Sequence, residues 1–272
     1  MAGQKPIEIG LVIYPGGQMA AVLGMTDFLA LADRIASGGA GGGQIPHLRI
    51  SHWQWRDGEG RPVRVFDTAP GIEGAPNVLI LTPRLGPLIE PEEAAPFAGW
   101  LRQRHAMGSA LGSICTGAFL LGETGLLSGR CITTHWTFEE AFRVRFPEAR
   151  MDAARLLVDD GDIITAGGAM AWTDPVLKLI ERHLGAAVMM ETARRLLVDP
   201  PGREQSHYST FSPRLNHGDG AILKVRSTAS GFASGKPASC SSPARSRPTR
   251  WHGRSATLTR ARSGRCSCGL WV

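Results

Sequence analysis

Residues 113–136 read SICTGAFLLGETGLLSGRCITTHW, and the first five of them decide how the chain is built. An apolar run, Ala110-Leu111-Gly112-Ser113-Ile114, ends at Cys115 and passes at once into Thr116-Gly117 and a stretch with helical character. That is a strand-to-helix turn with a cysteine at its apex. Ser113 and Gly117, two residues to either side, are small, as a sharp turn requires if neighbouring side chains are not to collide. The sulfur of such a turn sits at the amino end of a helix, where free N–H groups and the dipole favour a thiolate. On that ground Cys115 is expected to react faster than Cys131. The same residues also fit a small buried hydrophobe in a tight βα connection, and spacing alone does not separate the two readings.

The segments on either side of this turn alternate between strand and helix. Ile7 to Tyr14 is a short apolar run stopped by Pro15-Gly16-Gly17, as a buried parallel strand would be. From Met19 to Ile35, the rows Val22, Met25, Leu29, Ala32 and Phe28, Leu31, Ile35 suit a helix lying on a sheet. His47 to Trp55 and Pro62 to Thr68 read as a hairpin, in which the alternation slips by one before Trp53 and Trp55. Asn77 to Thr82 is a buried strand, and Pro91 to Ala106 a helix with Phe97 and Leu101 inward. Cys131 to Thr134 is a short strand that delivers His135-Trp136, and Thr137-Phe138-Glu139-Glu140 has the pattern of a capping box. Phe138, Phe142 and Phe146, four apart, make a core row. Arg155 to Val158 and Asp162 to Thr165 form a second hairpin around Asp159-Asp160-Gly161, whose carboxylates are expected to be solvated. Asp174-Pro175 reads as an N-cap and first helical residue, with Gly185 as that helix's stop, and a last helix spans Ala187 to Val198. The alternation implies an α/β sandwich with a mostly parallel sheet, whose ligands bind beyond the carboxyl ends of the strands. Cys115 and His135 both belong there.

Charge and cysteine usage narrow the function classes. The 272 residues carry a net +6, but residues 226–272 hold eight Arg and Lys236 with no acid, which leaves −3 on residues 1–225. A mildly acidic body lacks the footprint of a nucleic-acid binder; only the tail supplies one. Cys115, Cys131, Cys240, Cys266 and Cys268 form no paired CxxC framework, so no disulfide scaffold, metal site or cofactor is indicated. The Gly-rich patch Ser37 to Gly43 lacks the Lys-Ser/Thr of a phosphate cradle. No apolar run reaches spanning length and no secretory signal opens the chain, so a soluble, cytoplasmic protein without membrane contact is expected.

With SICTGAFLLGETGLLSGRCITTHW, LLVDDGDIITAGG and TARRLLVDPPGREQ, the chain resembles the ThiJ/PfpI family over residues 7 to about 225. More closely, it is similar to the amino-terminal sensor domain of AraC-family transcriptional regulators. The resemblance implies a flavodoxin-like three-layer sandwich and a pocket for a small-molecule effector around the elbow cysteine. It also implies homodimer formation and a carboxy-terminal pair of helix-turn-helix units that bind DNA. Matched by motif, Cys115 is the elbow cysteine, Thr116 and Gly117 its neighbours, and His135-Trp136 the facing pair, which together are the expected ligand-binding residues. In an enzymatic member, Cys115 would be the nucleophile and His135 the proton carrier.

Two departures from the family bear on function. Members resembling isonitrile hydratases place an acid against the cysteine at the position that aligns with Ala21, and alanine can neither orient a thiol nor carry a proton. Asp27 is no substitute, since six residues along a helix is about 9 Å of rise and roughly 240° of rotation. The second departure is the tail. The domain is expected over residues 1–200, and a linker with the start of a helix over 201–225. Residues 226–272, rich in Ser, Arg, Ala and Gly, cannot bury enough apolar surface to fold and are expected to be disordered. A shifted reading frame in place of the DNA-binding half accounts for that change; a natural basic arm is the competing account. Either way, this chain is expected to contact DNA only through tail cations on phosphates, without sequence preference. The sequence thus favours a truncated sensor over a cysteine-dependent hydratase, with thiol redox sensing or chaperone-like protection as a third reading.

Overall fold

Seven strands make one sheet in the computed structural model, which describes residues 5–38, 48–56, 59–72, 74–200 and 202–206. The chain enters through β1 (Ile7–Ile13) and α1 (Met19–Gly38), then forms β2 (Leu48–Trp55), β3 (Pro62–Asp67) and β4 (Val78–Leu81). Helix α2 (Pro91–Ala106) leads into β5 (Ala110–Ile114) and α3 (Gly117–Gly122). After β6 (Cys131–Ile132) come α4 (Glu139–Arg145), β7 (Arg150–Met151), β8 (Leu157–Asp159), β9 (Ile163–Ala166), α5 (Thr173–Leu184) and α6 (Ala186–Leu196). The sheet order is β3-β2-β1-β4-β5-β9-β8; the five inner strands run parallel, and β3 and β8 close the edges antiparallel. Strands β6 and β7 pair separately.

Helices cover both faces, giving the three layers of a flavodoxin-like sandwich. On one face α1, α5 and α6 bury Val22, Met25, Leu29, Val176 and Ile180 against Ile9, Leu11 and Ile80. On the other, α2, α3 and α4 bury Phe97, Leu101, Phe119 and Phe142 against Val12, Leu79 and Leu111. Strands covered on both sides are continuously apolar, which is why β4 is the uninterrupted run VLIL. The slip in alternation before Trp53 is a register shift between His52 and Trp53 in the β2–β3 pairing. The phenylalanine row closes around Phe119, which meets Phe138, Phe142 and Phe146 edge-on at 6.2, 5.2 and 6.1 Å.

Three local expectations change. Thr137 does not cap α4; a short 3-10 turn, Trp136–Phe138, comes first, and His135 caps it. Asp174 is not an N-cap but lies inside α5, whose first residue is Thr173, because its buried carboxylate is ion-paired with Arg203 at 2.5 Å. The acidic turn is not merely solvated: Asp159 pairs with Arg182, and Asp160 and Asp162 share Arg130. The Arg130 hydrogen bonds hold the Asp162 carboxyl at about 2. His47, most of the Gly-rich patch, residues 217–225 and the basic tail lie outside the described residues.

Candidate functional site

The carboxyl ends of β1, β4, β5 and β9 are tied together by backbone bonds. At the end of β1, Gly16 takes a φ of +74°, open to glycine at little cost, so the chain can turn back onto the end of β4. There Gln18 N donates to the Pro83 carbonyl at 2.7 Å and Leu85 N to the Gly16 carbonyl at 3.3 Å. At the end of β5, Cys115 stands at φ +52°, a conformation that costs a non-glycine residue roughly 1–3 kcal/mol and persists only where its surroundings hold it. Three contacts do so. Cys115 N donates to the Ala166 carbonyl at 2.7 Å, the Cys115 carbonyl accepts from Thr134 Oγ1 at 2.6 Å, and Gly117 packs so closely that a Cβ there would stand 2.8 Å from the Leu81 carbonyl oxygen. The small residue after the apex is thus needed for helix-to-strand packing.

The thiol itself is not poised as the turn alone suggests. Cys115 is 5% exposed, in a core cluster that includes Ala21, Val22 and Met25. Burial pushes the thiol above its ordinary pKa, against a smaller opposite pull from the backbone N–H groups of Thr116 and Gly168. The six-residue α3 does not reverse that balance. Among the described residues no side chain hydrogen-bonds the sulfur, and Ala21, fully buried, brings only a methyl group. Cys131 is half-buried. The expected order of reaction therefore reverses: at neutral pH, alkylation of the native protein should label Cys131 before Cys115, and labelling of Cys115 should rise with pH or on unfolding. Peptide mapping of a timed iodoacetamide reaction measures the order, and fast labelling of Cys115 at pH 7 would refute it.

The other expected site residues are brought near Cys115 but are already engaged. Thr116 Oγ1 accepts from Arg84 N at 2.7 Å and donates to the Arg84 carbonyl at 3.1 Å. Gly117 is buried in α3. His135 follows Thr134, yet its Nδ1 faces Thr137 N at 3.2 Å and Thr137 Oγ1 at 2.7 Å, and its ring stacks on Trp136 at 5.5 Å. Burial lowers the His135 pKa below its ordinary value, which favours the uncharged ring. No hydrogen bond joins it to the Cys115 sulfur among the described residues. Trp136 N donates to Gln205 Oε1 at 3.2 Å.

Beside this elbow lies a cavity of about 520 Å³, walled in part by Tyr14, Met19, Gln54, Trp55, Glu93 and Phe97, with neither Cys115 nor His135 in its lining. Tyr14, Phe97 and Trp55 form an aromatic wall, with centroids 6.2 Å apart for Tyr14–Phe97 and 5.6 Å for Trp55–Phe97. Tyr14 donates its hydroxyl to the Thr82 carbonyl at 2.6 Å; burial raises its pKa far above the ordinary value, although the Arg84 charge opposes this. Arg84 pairs with Glu93 at 2.7 Å and links this wall to Thr116. None of these residues forms a motif. The signal available was the aromatic and polar composition of Gln54-Trp55 at the end of a strand, beyond which α/β sheets bind ligands.

Residues 90–182 match the DJ-1/PfpI family. Isonitrile hydratase of Pseudomonas putida is 27% identical over 191 residues, covering 66% of this chain and 73% of that protein. The HTH-type transcriptional regulator GbdR of Pseudomonas aeruginosa is 23% identical over 209 residues, covering 75% of this chain, and the regulator CdhR of the same species is 33% identical over 108. The chain spans 54% of GbdR's length and 32% of CdhR's. In fold, it is similar to an AraC family transcriptional regulator from Pseudomonas putida, with TM-score 0.54 at 20% identity over 70% of this chain and all of that one. Drosophila melanogaster DJ-1beta has the same fold, with TM-score 0.51 at 18% identity over 72% of this chain and all of that one. No helix among the described residues is long and apolar enough to cross a membrane.

Proposed function

We propose that this chain, which carries a DJ-1/PfpI family domain, senses a small molecule as part of an AraC-type regulator and does not transform it. The observation that carries the reading is the state of the elbow: Cys115 is buried with a raised pKa, Ala21 offers no acid, and the His135 Nδ1 is engaged at Thr137. Nucleophilic use needs a base within hydrogen-bond reach of the sulfur. The similarity to GbdR and CdhR supports the regulatory role. The effector is received in the cavity against Tyr14, Trp55 and Phe97, whose rings supply apolar contact area and whose rim, through Glu93 and Gln54, supplies polar direction. The domain works as a homodimer in this reading, and DNA recognition belongs to a separate module.

The competing reading is hydration of an isonitrile at Cys115, favoured by the strained elbow and by the similarity to isonitrile hydratase. One pair of variants separates the two. A small molecule found by thermal-shift screening should bind Cys115→Ser as it binds the wild type. It should bind Trp55→Ala about tenfold more weakly, the loss of roughly 1.4 kcal/mol expected when one aromatic wall is removed. Isothermal titration measures both. Consumption of an isonitrile by the wild type, lost in Cys115→Ser, would replace sensing with catalysis.

A further inference from the structure

We infer that the groove between α1 and the end of α6 is the interface through which two copies of this chain pair, their α1 helices antiparallel across a two-fold axis. The groove, of about 380 Å³, is lined on one side by Gly24, Asp27, Leu31 and Arg34 of α1 and on the other by Trp172 and Leu196. Its floor is fixed: Trp172 packs on Gly24, where a Cβ would stand 2.7 Å from the indole, and meets the Phe28 ring edge-on at 6.3 Å. Apolar surface collects around it. Leu23, next to Gly24, is 55% exposed, Met170, two residues before Trp172, is 65% exposed, and Leu197, directly after Leu196, is 92% exposed. Leu197 also holds a left-handed conformation, φ +53°, at the end of α6, a place that glycine usually takes. Single exposed apolar residues are ordinary, whereas several beside one groove mark a surface that something covers.

The charges on the groove identify what covers it. Asp27 and Arg34 are both exposed, and neither has an ion pair or a hydrogen-bonding side-chain partner among the described residues. Arg34 follows Asp27 by two helical turns, so the two lie on one face about 10 Å apart, with Leu31 between them. A face that carries one unpaired anion and one unpaired cation on either side of an apolar centre is complementary to itself when reversed. Asp27 of one copy then meets Arg34 of the partner subunit, and Arg34 meets the partner's Asp27, as an isologous contact requires. Parallel α1 helices would oppose like charges instead. Reversal of the same helix supplies both missing counter-charges at the right spacing without a second kind of protein. This inference rests on the homodimer reading above and not on the effector one, because none of the groove residues lines the aromatic cavity.

Analytical ultracentrifugation of the full chain over a range of concentrations measures the dimer Kd. Asp27→Arg and Arg34→Asp, both at exposed positions, should each weaken pairing by at least about tenfold, since each opposes like charges at two symmetry-related contacts. Circular dichroism checks that both variants fold. Mixed in equal amounts, the two single variants should form a heterodimer at a concentration where neither pairs with itself, because the mixture opposes two cations to two anions. The double variant should regain the wild-type Kd. A monomeric wild type would overturn the interface together with the homodimer reading. A wild-type dimer whose Kd neither variant changes would overturn the interface alone and leave the homodimer standing on another face. Weakened pairing with no recovery in the mixture or the double variant would overturn the antiparallel contact of Asp27 with Arg34.

Discussion

Glu8→Ala is expected to destabilise the native state by about 3–5 kcal/mol, the cost of removing one partner from a buried ion network. Glu8 is 2% exposed in the middle of the parallel strands, where a charge survives only if fully partnered. Its Oε1 accepts from Ser51 Oγ at 2.6 Å and Arg64 at 2.9 Å, and its Oε2 faces Arg49 at 3.1 Å. The strand register makes this possible, because Glu8 and Arg49 are direct cross-strand partners in the β1–β2 pairing. Without Glu8, Arg49, at 1% exposure, retains Asp67 alone. Urea unfolding measures the loss as a fall in midpoint at unchanged slope. A shift below about 1 kcal/mol would mean that water or a rearranged Asp67 replaces the carboxylate. The same network sets a pH response. Hydrogen bonds from Arg49 hold the Asp67 carboxyl below its ordinary pKa, so its contribution is complete above the unfolded value near 3.8 and is lost as pH falls through the lower, folded one.

That network also shows what was legible in the sequence. The strand–cysteine–helix turn, the span of α2 and the slip before Trp53 could be read because each follows from local spacing, and α2 runs over Pro91–Ala106 as its pattern implies. Glu8, Arg49 and Asp67 could not be joined in the same way. They lie far apart in the chain and meet only through register, which local composition does not encode. Asp174 was misread for a related reason: an Asp-Pro pair has the local chemistry of a cap, but Arg203, nearly thirty residues on, draws the carboxylate into the interior. At the elbow, the position of Cys115 was legible and its chemistry was not. A helix amino terminus favours a thiolate, but burial against Ala21 and Met25 acts more strongly in the opposite direction. The aromatic cavity was missed because Tyr14, Trp55 and Phe97 come from three separate elements.

Gln205→Ala is expected to destabilise the domain by about 2–4 kcal/mol, since it strips partners from several buried backbone groups that water cannot reach freely. Gln205 is 2% exposed in a stretch that spacing marks only as a linker. Its Nε2 donates to the carbonyls of Thr134 at 2.9 Å and Arg155 at 2.8 Å and to Thr133 Oγ1 at 3.1 Å, and its Oε1 accepts from Trp136 N. Its backbone is fixed too, through Gln205 N to the Ala154 carbonyl at 2.8 Å. One carboxamide therefore holds the segment that carries His135 and Trp136, and through Thr134 Oγ1 the same segment supports the strained Cys115 carbonyl. The slot for it exists because residue 167 is glycine: a Cβ there would lie 2.1 Å from Gln205 Nε2. Gly167→Ala should then reproduce the loss by expelling the side chain, and the double variant should cost little more than either single change, as expected for residues that share one interaction. Chemical denaturation of the three variants measures the cycle, with the intensity of Trp136 fluorescence, isolated by comparison with Trp136→Phe, reporting release of the loop. Additive losses would show that Gly167 and Gln205 act separately, and that the segment following α6 does not depend on this slot.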